Sequence, residues 1–217
     1  MRAQSQALAK GPPLKHPFRE FVEGWFQIVS QSKVVTSPEL SNQALEKLCP
    51  AFLDVGVDLK NHAHTLLFRA SEHGFSAAKF HQFCDNKAPT VLLVRSTLGS
   101  VFGAYIHGCY WSSGRYTNCG GKSFLFSLEE PGNGVQCGVA FQCHNPRQEL
   151  CAEASLGLGG GDLTIADQCN MYESQSNFGN SYGRAQGIRC GYNFLAKEGR
   201  NFMVAEYEVW EVMPRKG

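Results

Sequence analysis

The chain lacks a long apolar run, an excess of charge of one sign and a closely spaced cysteine pair, and each absence removes a class of function. No stretch approaches the roughly 20 apolar residues that a membrane-spanning helix needs, so no transmembrane segment is expected. Lys plus Arg is 20 and Asp plus Glu is 19. A nucleic-acid binder ordinarily carries a basic excess or stripe to neutralise phosphates, and the same balance argues against polybasic attachment to an anionic bilayer. Residues Met1 to His16 show no apolar run of the kind that opens a secretory signal. The cysteines number nine, an odd count that cannot pair completely within one chain. Reduced thiols and a cytoplasmic location are the expectation.

Active-site motifs are also missing. Structural zinc sites commonly pair cysteines at C-x(2–4)-C spacing, whereas the closest pair here, Cys137 and Cys143, stands six apart. No metal or other cofactor is expected. There is no Gly-x-Ser-x-Gly nucleophile elbow. The run Gly157-Leu158-Gly159-Gly160-Gly161-Asp162 is followed by the strand pattern Leu163-Thr164-Ile165-Ala166 and by no Gly-Lys-Ser/Thr. It reads as a tight turn between strands instead of a phosphate cradle, and no small-molecule ligand is evident. Cys109, Cys119 and Cys143 lie near His107 and His144 in sequence, but nearness in sequence does not lower a thiol pKa, which needs a neighbouring cation or helix N-terminus in space. Asp162, Asp167, Glu206 and Glu208 are available carboxylates that read as turn and solvent residues. In Asp167-Gln168-Cys169-Asn170 the side chains suit bonding to nearby backbone. An enzyme is not expected.

What the chain does have is apolar residues at 43%, charged residues at only 18% and 23 glycines, a composition for a sizeable core built of strands and turns. Residues 1–16 read as a loose tail and residues 17–59 as a helical extension. Phe18, Phe21, Val22, Trp25, Phe26, Ile28 and Val29 make one apolar stripe after Pro17, which suits a first helical position. A second helix is expected from Ser37-Pro38, with Leu40, Ala44, Leu45 and Leu48 on one side. Each stripe must be covered by the chain's own core or by a partner. In Gly74–Asp85 a third helix is marked by Ser76 at the N-cap and by Phe75 and Phe80 at the two ends of a hydrophobic staple. Strands then dominate. Thr90–Arg95 and Val101–Ile106 form a hairpin hydrophobic on both faces; further strands are expected at Ser123–Leu128, Val135–Phe141, Leu163–Ala166 and Phe202–Val212. In the last, Met203, Ala205, Tyr207 and Val209 alternate as an apolar face. Hairpins without long intervening helices predict an α+β, mainly β fold: two antiparallel sheets packed as a sandwich with flanking helices.

The order of segments resembles the TLDc family. The resemblance runs from Leu66-Leu67-Phe68-Arg69-Ala70-Ser71-Glu72-His73-Gly74-Phe75-Ser76 through the Phe80–Asp85 helix, the Pro89–Ile106 hairpin, Trp111 and Ser123–Leu128. It is densest in Gly159-Gly160-Gly161-Asp162-Leu163-Thr164-Ile165-Ala166-Asp167, Cys169-Asn170 and Ser176-Asn177-Phe178-Gly179-Asn180-Ser181-Tyr182, and closes at Glu206-Tyr207-Glu208-Val209-Trp210-Glu211-Val212. It implies a domain over residues 60–214 with the sandwich fold read above. It also implies a non-enzymatic protein-interaction module associated with oxidative-stress resistance, whose partners include subunits of the vacuolar-type proton ATPase. The motif positions it carries over as a structured patch are Gly160, Gly161, Asp162, Asp167, Asn170, Ser176, Phe178, Gly179, Glu208 and Trp210. Two other readings stand beside it: a cysteine-based redox protein, and a structural subunit of a larger cytoskeletal or ciliary assembly.

Overall fold

The computed structural model describes residues 16–35, 42–110, 116–128, 140–148, 150–152, 156–177, 179–183 and 195–215. Trp111, Phe178 and most of the expected Val135–Phe141 strand fall outside them, as does the Ser37-Pro38 helix start. Two helices open the described chain: α1 (His16–Val29) and α2 (Asn42–Asp54). After a short 3₁₀ turn at Leu59–Asn61 come strand β1 (His62–Arg69), the single-turn helix α3 (Ala70–His73) and helix α4 (Ala77–Cys84). Then follow β2 (Thr90–Ser96), β3 (Val101–Ile106), β4 (Phe124–Ser127) and β5 (Ala140–Gln142). The second half supplies β6 (Leu150–Ala152), β7 (Leu156–Leu158), β8 (Leu163–Ile165), β9 (Ser174–Ser176), β10 (Asn201–Phe202) and β11 (Val204–Pro214).

The strands make two antiparallel sheets, one six-stranded in the order β1-β11-β2-β3-β4-β5 and one five-stranded in the order β10-β9-β8-β7-β6. The six-stranded sheet is the middle layer, which explains the unbroken hydrophobicity of β2 and β3. Alternate residues of one strand meet different cores. Leu92, Val94, Phe102, Ala104 and Val209 face the second sheet, where Leu156, Leu158, Leu163, Ile165 and Phe202 complete the sandwich. Val91, Leu93, Tyr105, Phe124, Phe126 and Trp210 face the other way, onto Phe21, Trp25 and Ile28 of α1 and Leu45, Leu48 and Phe52 of α2. Phe52 stands at the centre of that layer, edge-on to Phe124 at 5.0 Å and to Tyr105 at 5.8 Å. Among the described residues, Phe21, Val22, Trp25 and Ile28 of the first stripe and Leu45 and Leu48 of the second are therefore covered by the chain's own core, while Phe26 is exposed. Gly24 shows how close the approach is, because a side chain there would collide with the backbone of Leu59 and Lys60.

The staple helix forms as read: the Ser76 hydroxyl accepts the Lys79 N–H at 3.3 Å, and Phe75 and Phe80 join one core. The glycine run is indeed a turn, since β7 and β8 pair across it with Leu158 opposite Leu163. Two expectations need correction. Phe202–Val212 is not one strand. Met203 lies between β10, in the five-stranded sheet, and β11, in the six-stranded one, and the ladder shifts register between Val204 and Glu206. The change of sheet is held from both sides, by Thr97 N–H on the Met203 carbonyl and by Val204 N–H on the Cys169 carbonyl. Met203 is consequently half-buried and Ala205 exposed, so neither extends the apolar face of Tyr207 and Val209. The second correction concerns carboxylates: Asp162, Glu206 and Glu208 are buried, while Asp167 is exposed. Among the described residues no helix is long and apolar enough to cross a membrane.

Candidate functional site

The family-motif residues do not gather into one patch; they work at three places. The first is the β7–β8 turn. Gly159, Gly160 and Gly161 have φ of +67°, +64° and +105°, and a side chain on Gly159 would collide with the Asp162 carboxylate and the Tyr182 ring. Asp162 itself is fully buried. Its Oδ1 accepts the N–H of Gly179 at 2.6 Å and of Asn180 at 3.0 Å; its Oδ2 accepts that of Ser181 at 2.8 Å and of Tyr182 at 3.4 Å. Burial pushes the carboxyl pKa up, and the four backbone N–H groups pull against that by favouring the anion. Asn180 closes the arrangement by donating from Nδ2 to the Gly160 carbonyl at 3.2 Å. Ser176 is buried on β9 close by in sequence, and Phe178 lies outside the described residues. Both carboxylate oxygens of Asp162 are thus engaged in bracing residues 179–182.

The second place is the middle of β11. Glu208, also fully buried, accepts Ser32 Oγ, the Lys33 N–H and Arg69 Nε, each at 2.7 Å, and Trp210 Nε1 at 3.1 Å. Arg69 also donates to Glu72 at 2.9 Å and to the Gln31 carbonyl at 2.5 Å, and Lys33 pairs with Glu72 at 2.9 Å. The segment leaving α1 is bolted to the sheet through one carboxylate. Glu206, two residues earlier, is spent on the N–H groups of Ser71 and Tyr207 at 3.1 Å each. Sequence reading ranked Glu206 and Glu208 as solvent residues; the signal it missed was Arg69, the one charged residue of an otherwise uncharged strand.

The third place is the turn after β8. Asp167 Oδ1 accepts the Ala77 N–H at 2.7 Å, adding a second cap to α4 beside Ser76. Gln168, at φ +51°, donates its N–H to the Phe75 carbonyl at 3.1 Å and receives the N–H groups of Met171 and Tyr172 at 2.8 and 3.0 Å. The Cys169 carbonyl meets Val204 N–H at 3.1 Å. A turn tied to α4, to itself and to the sheet-changing segment cannot shift independently of them. At its tip Asn170 is exposed, with Met171 at 62% and Tyr172 at 63% exposure. Other exposed large apolar residues, such as Leu98 and Met213, stand singly in the chain, which is ordinary for a protein surface. Met171 and Tyr172 are adjacent, rigidly held and flanked by the acidic Asp167 and Glu173. That combination fits protein recognition, where Tyr gives large contact area at low entropic cost and Met adapts to an irregular surface.

Two of the thiols are placed poorly for reactive chemistry. Cys84 and Cys169 are fully buried. Desolvation pushes the Cys169 pKa up to about 12 and that of Cys84 higher still, away from the thiolate a nucleophile requires. Cys109 and Cys143 are half-exposed. Among the described residues no three His, Cys, Asp or Glu side chains are placed to hold a metal ion.

Two antiparallel sheets packed as a sandwich with flanking helices are what the resemblance implied for the fold, and comparison with family models agrees. The model described as the TLDc domain matches residues 29–213, taking in the end of α1 and all of α2 as well as both sheets, and the chain belongs to that family.

Proposed function

We propose that the chain works as a non-enzymatic protein-interaction module in the cytoplasm. In this reading the Asp167–Tyr172 turn is a principal contact, and a subunit of the vacuolar-type proton ATPase is the partner through which the protein serves resistance to oxidative stress. The reading is supported chiefly by the turn itself: its polar residues are consumed in holding it still, and its two large apolar side chains are left in solvent. The buried motif carboxylates Asp162 and Glu208, each saturated with donors from its own chain, support binding over catalysis. The ATPase and oxidative-stress parts of the reading come from family membership.

The test is direct binding of the purified chain to purified peripheral and catalytic subunits of a vacuolar-type ATPase. Tyr172→Ala and Met171→Ala should each weaken binding by at least about tenfold, the scale of an interface anchor. Absence of binding to any subunit removes the ATPase from the proposal. Binding that is indifferent to both substitutions removes the turn.

A further inference from the structure

Strand β1 is the outer strand of the six-stranded sheet and pairs with β11 alone. Along an antiparallel ladder, residues alternate between aiming N–H and C=O at the partner and aiming them away. The Arg215 N–H donates to the Asn61 carbonyl, and His62 stands opposite Pro214. These fix the phase of the ladder. Ala63 and Thr65 turn their backbone groups toward Met213 and Glu211, whereas His62, His64 and Leu66 turn theirs outward. The His62 carbonyl is taken by Arg215 Nε at 3.3 Å. Among the described residues, no backbone group pairs with the outward N–H and C=O of His64 and Leu66.

Exposed edges are usually guarded by lysines, prolines or short length, because an open ladder recruits another strand. β1 runs His62-Ala63-His64-Thr65-Leu66-Leu67-Phe68-Arg69 without Lys, Asp, Glu or Pro. Its one permanent charge, Arg69, is buried and turned inward onto Glu208. Ala63 and Thr65 are exposed. The ladder to β11 is regular from His62 to Leu66 and shifts only after that point. The outward-facing stretch is therefore regular in register, without Lys, Arg, Asp or Glu, and open among the described residues.

We propose that β1 is a self-association edge, at which a second copy of this chain pairs antiparallel and joins the two six-stranded sheets into one. This goes beyond the partner-binding reading and uses a different surface. A second copy is singled out because the strand is its own complement. With the two-fold axis at Thr65, His64 lies opposite Leu66 of the other copy and Leu66 opposite its His64. Both are then pairs that exchange N–H···O=C bonds, and every open backbone group of the two residues is satisfied. Thr65 faces Thr65, a favoured cross-strand pair, and Ala63 faces Leu67. No charge meets a like charge anywhere in that register.

Sedimentation of the full chain over a concentration series is the first experiment, and a monomer–dimer equilibrium is the result expected. Thr65→Asp sets two carboxylates against each other on the axis and should raise the dimer dissociation constant at least about tenfold, with the thermal midpoint lowered only slightly, because Thr65 is exposed but stands opposite Glu211 in the β1–β11 ladder. Thr65→Cys is the complementary variant. Non-hydrogen-bonded pairs hold their Cα atoms about 4.5 Å apart, within disulfide span, so mild oxidation should yield a covalent dimer well above the parent and above a Leu98→Cys control. Hydrogen exchange at His64 and Leu66 should slow as concentration rises. A chain that stays monomeric overturns the proposal, and so does slow exchange at these amides in the monomer, which means that another segment covers the edge. Association unaffected by Thr65→Asp, with no gain of cross-link for Thr65→Cys, overturns it as well.

Discussion

Replacing Glu208 with Gln tests how much of the fold hangs on one carboxylate. Glu208 is fully buried and receives four donors: Ser32 Oγ, Lys33 N, Arg69 Nε and Trp210 Nε1. A glutamine of the same shape brings one oxygen and one NH₂, so whichever way it turns a donor meets a donor. It also strips the counter-charge from Arg69, whose side chain is only 9% exposed and whose remaining anion is the surface residue Glu72. Removing one partner of a buried ion pair typically costs about 3–5 kcal/mol. For a domain of this size each kcal/mol moves the melting temperature by about 2–4 °C, so Glu208→Gln should melt roughly 6–20 °C lower. Ser32→Ala removes one hydrogen bond to the same anion and should cost about 1.5–3 kcal/mol. The two effects are not independent, because both variants remove the Ser32–Glu208 hydrogen bond, leaving Ser32 Oγ in Glu208→Gln with only the N–H groups of Val34 and Val35. The double variant should therefore lose less than the sum of the singles. Calorimetry and urea titration of the four proteins read the cycle. The reasoning fails if Glu208→Gln melts within about 2 °C of the parent, or if the two costs simply add.

Three further outcomes follow from the buried polar groups and thiols. Asp162→Asn turns an NH₂ toward backbone donors of residues 179–182, and a buried donor left unsatisfied costs about 1–3 kcal/mol; an unchanged urea midpoint would show that the carboxylate does not hold that loop. His64 is held neutral, its pKa lowered to about 4 mainly by burial and next by Arg215. Because the folded pKa lies below the unfolded one, the unfolded state takes up the proton first, and stability falls as pH drops from about 6.5 toward about 4, by at most about 3 kcal/mol. His64→Gln should flatten the melting temperature across that window, and a profile identical to the parent's would refute the assignment. Alkylation at mildly alkaline pH, followed by mass spectrometry, should modify half-exposed Cys109 in the native protein while Cys84 and Cys169 react only after denaturation; early labelling of either buried thiol would refute their placement.

The parts of this fold that were legible in the sequence are those whose cause is local. β2 and β3 announce themselves because both faces of these strands are covered and nearly all their residues are apolar or small. The Ser76 cap and the glycine turn are legible because a helix N-terminus and a positive φ each demand particular residues within a few positions. The apolar stripes of α1 and α2 could be read too, but what covers them could not, since Phe21 and Phe52 meet Phe124 and Trp210 only after the sheet is assembled.

The misreadings have the opposite origin. Nothing between Phe202 and Val204 marks a break: there is no glycine or proline, and the change of sheet is imposed by Thr97 and Cys169 from distant parts of the chain. Glu206 and Glu208 alternate with apolar residues as solvent-facing carboxylates do, and the alternation is real. The face Glu208 occupies, however, is the one that the segment leaving α1 covers, and a carboxylate beneath such cover persists only with donors supplied to it. Ser32 and Arg69 are those donors, 176 and 139 residues away. The same logic separates the motif residues into kinds. Asp162 and Glu208 are buried carboxylates that the chain supplies with donors, which is a requirement of folding. Met171 and Tyr172 satisfy no such requirement, since the turn beneath them is held by Asp167 and by backbone groups of Gln168 and Cys169. Substituting them should leave the fold intact, and whatever they contribute must then appear in the presence of a partner.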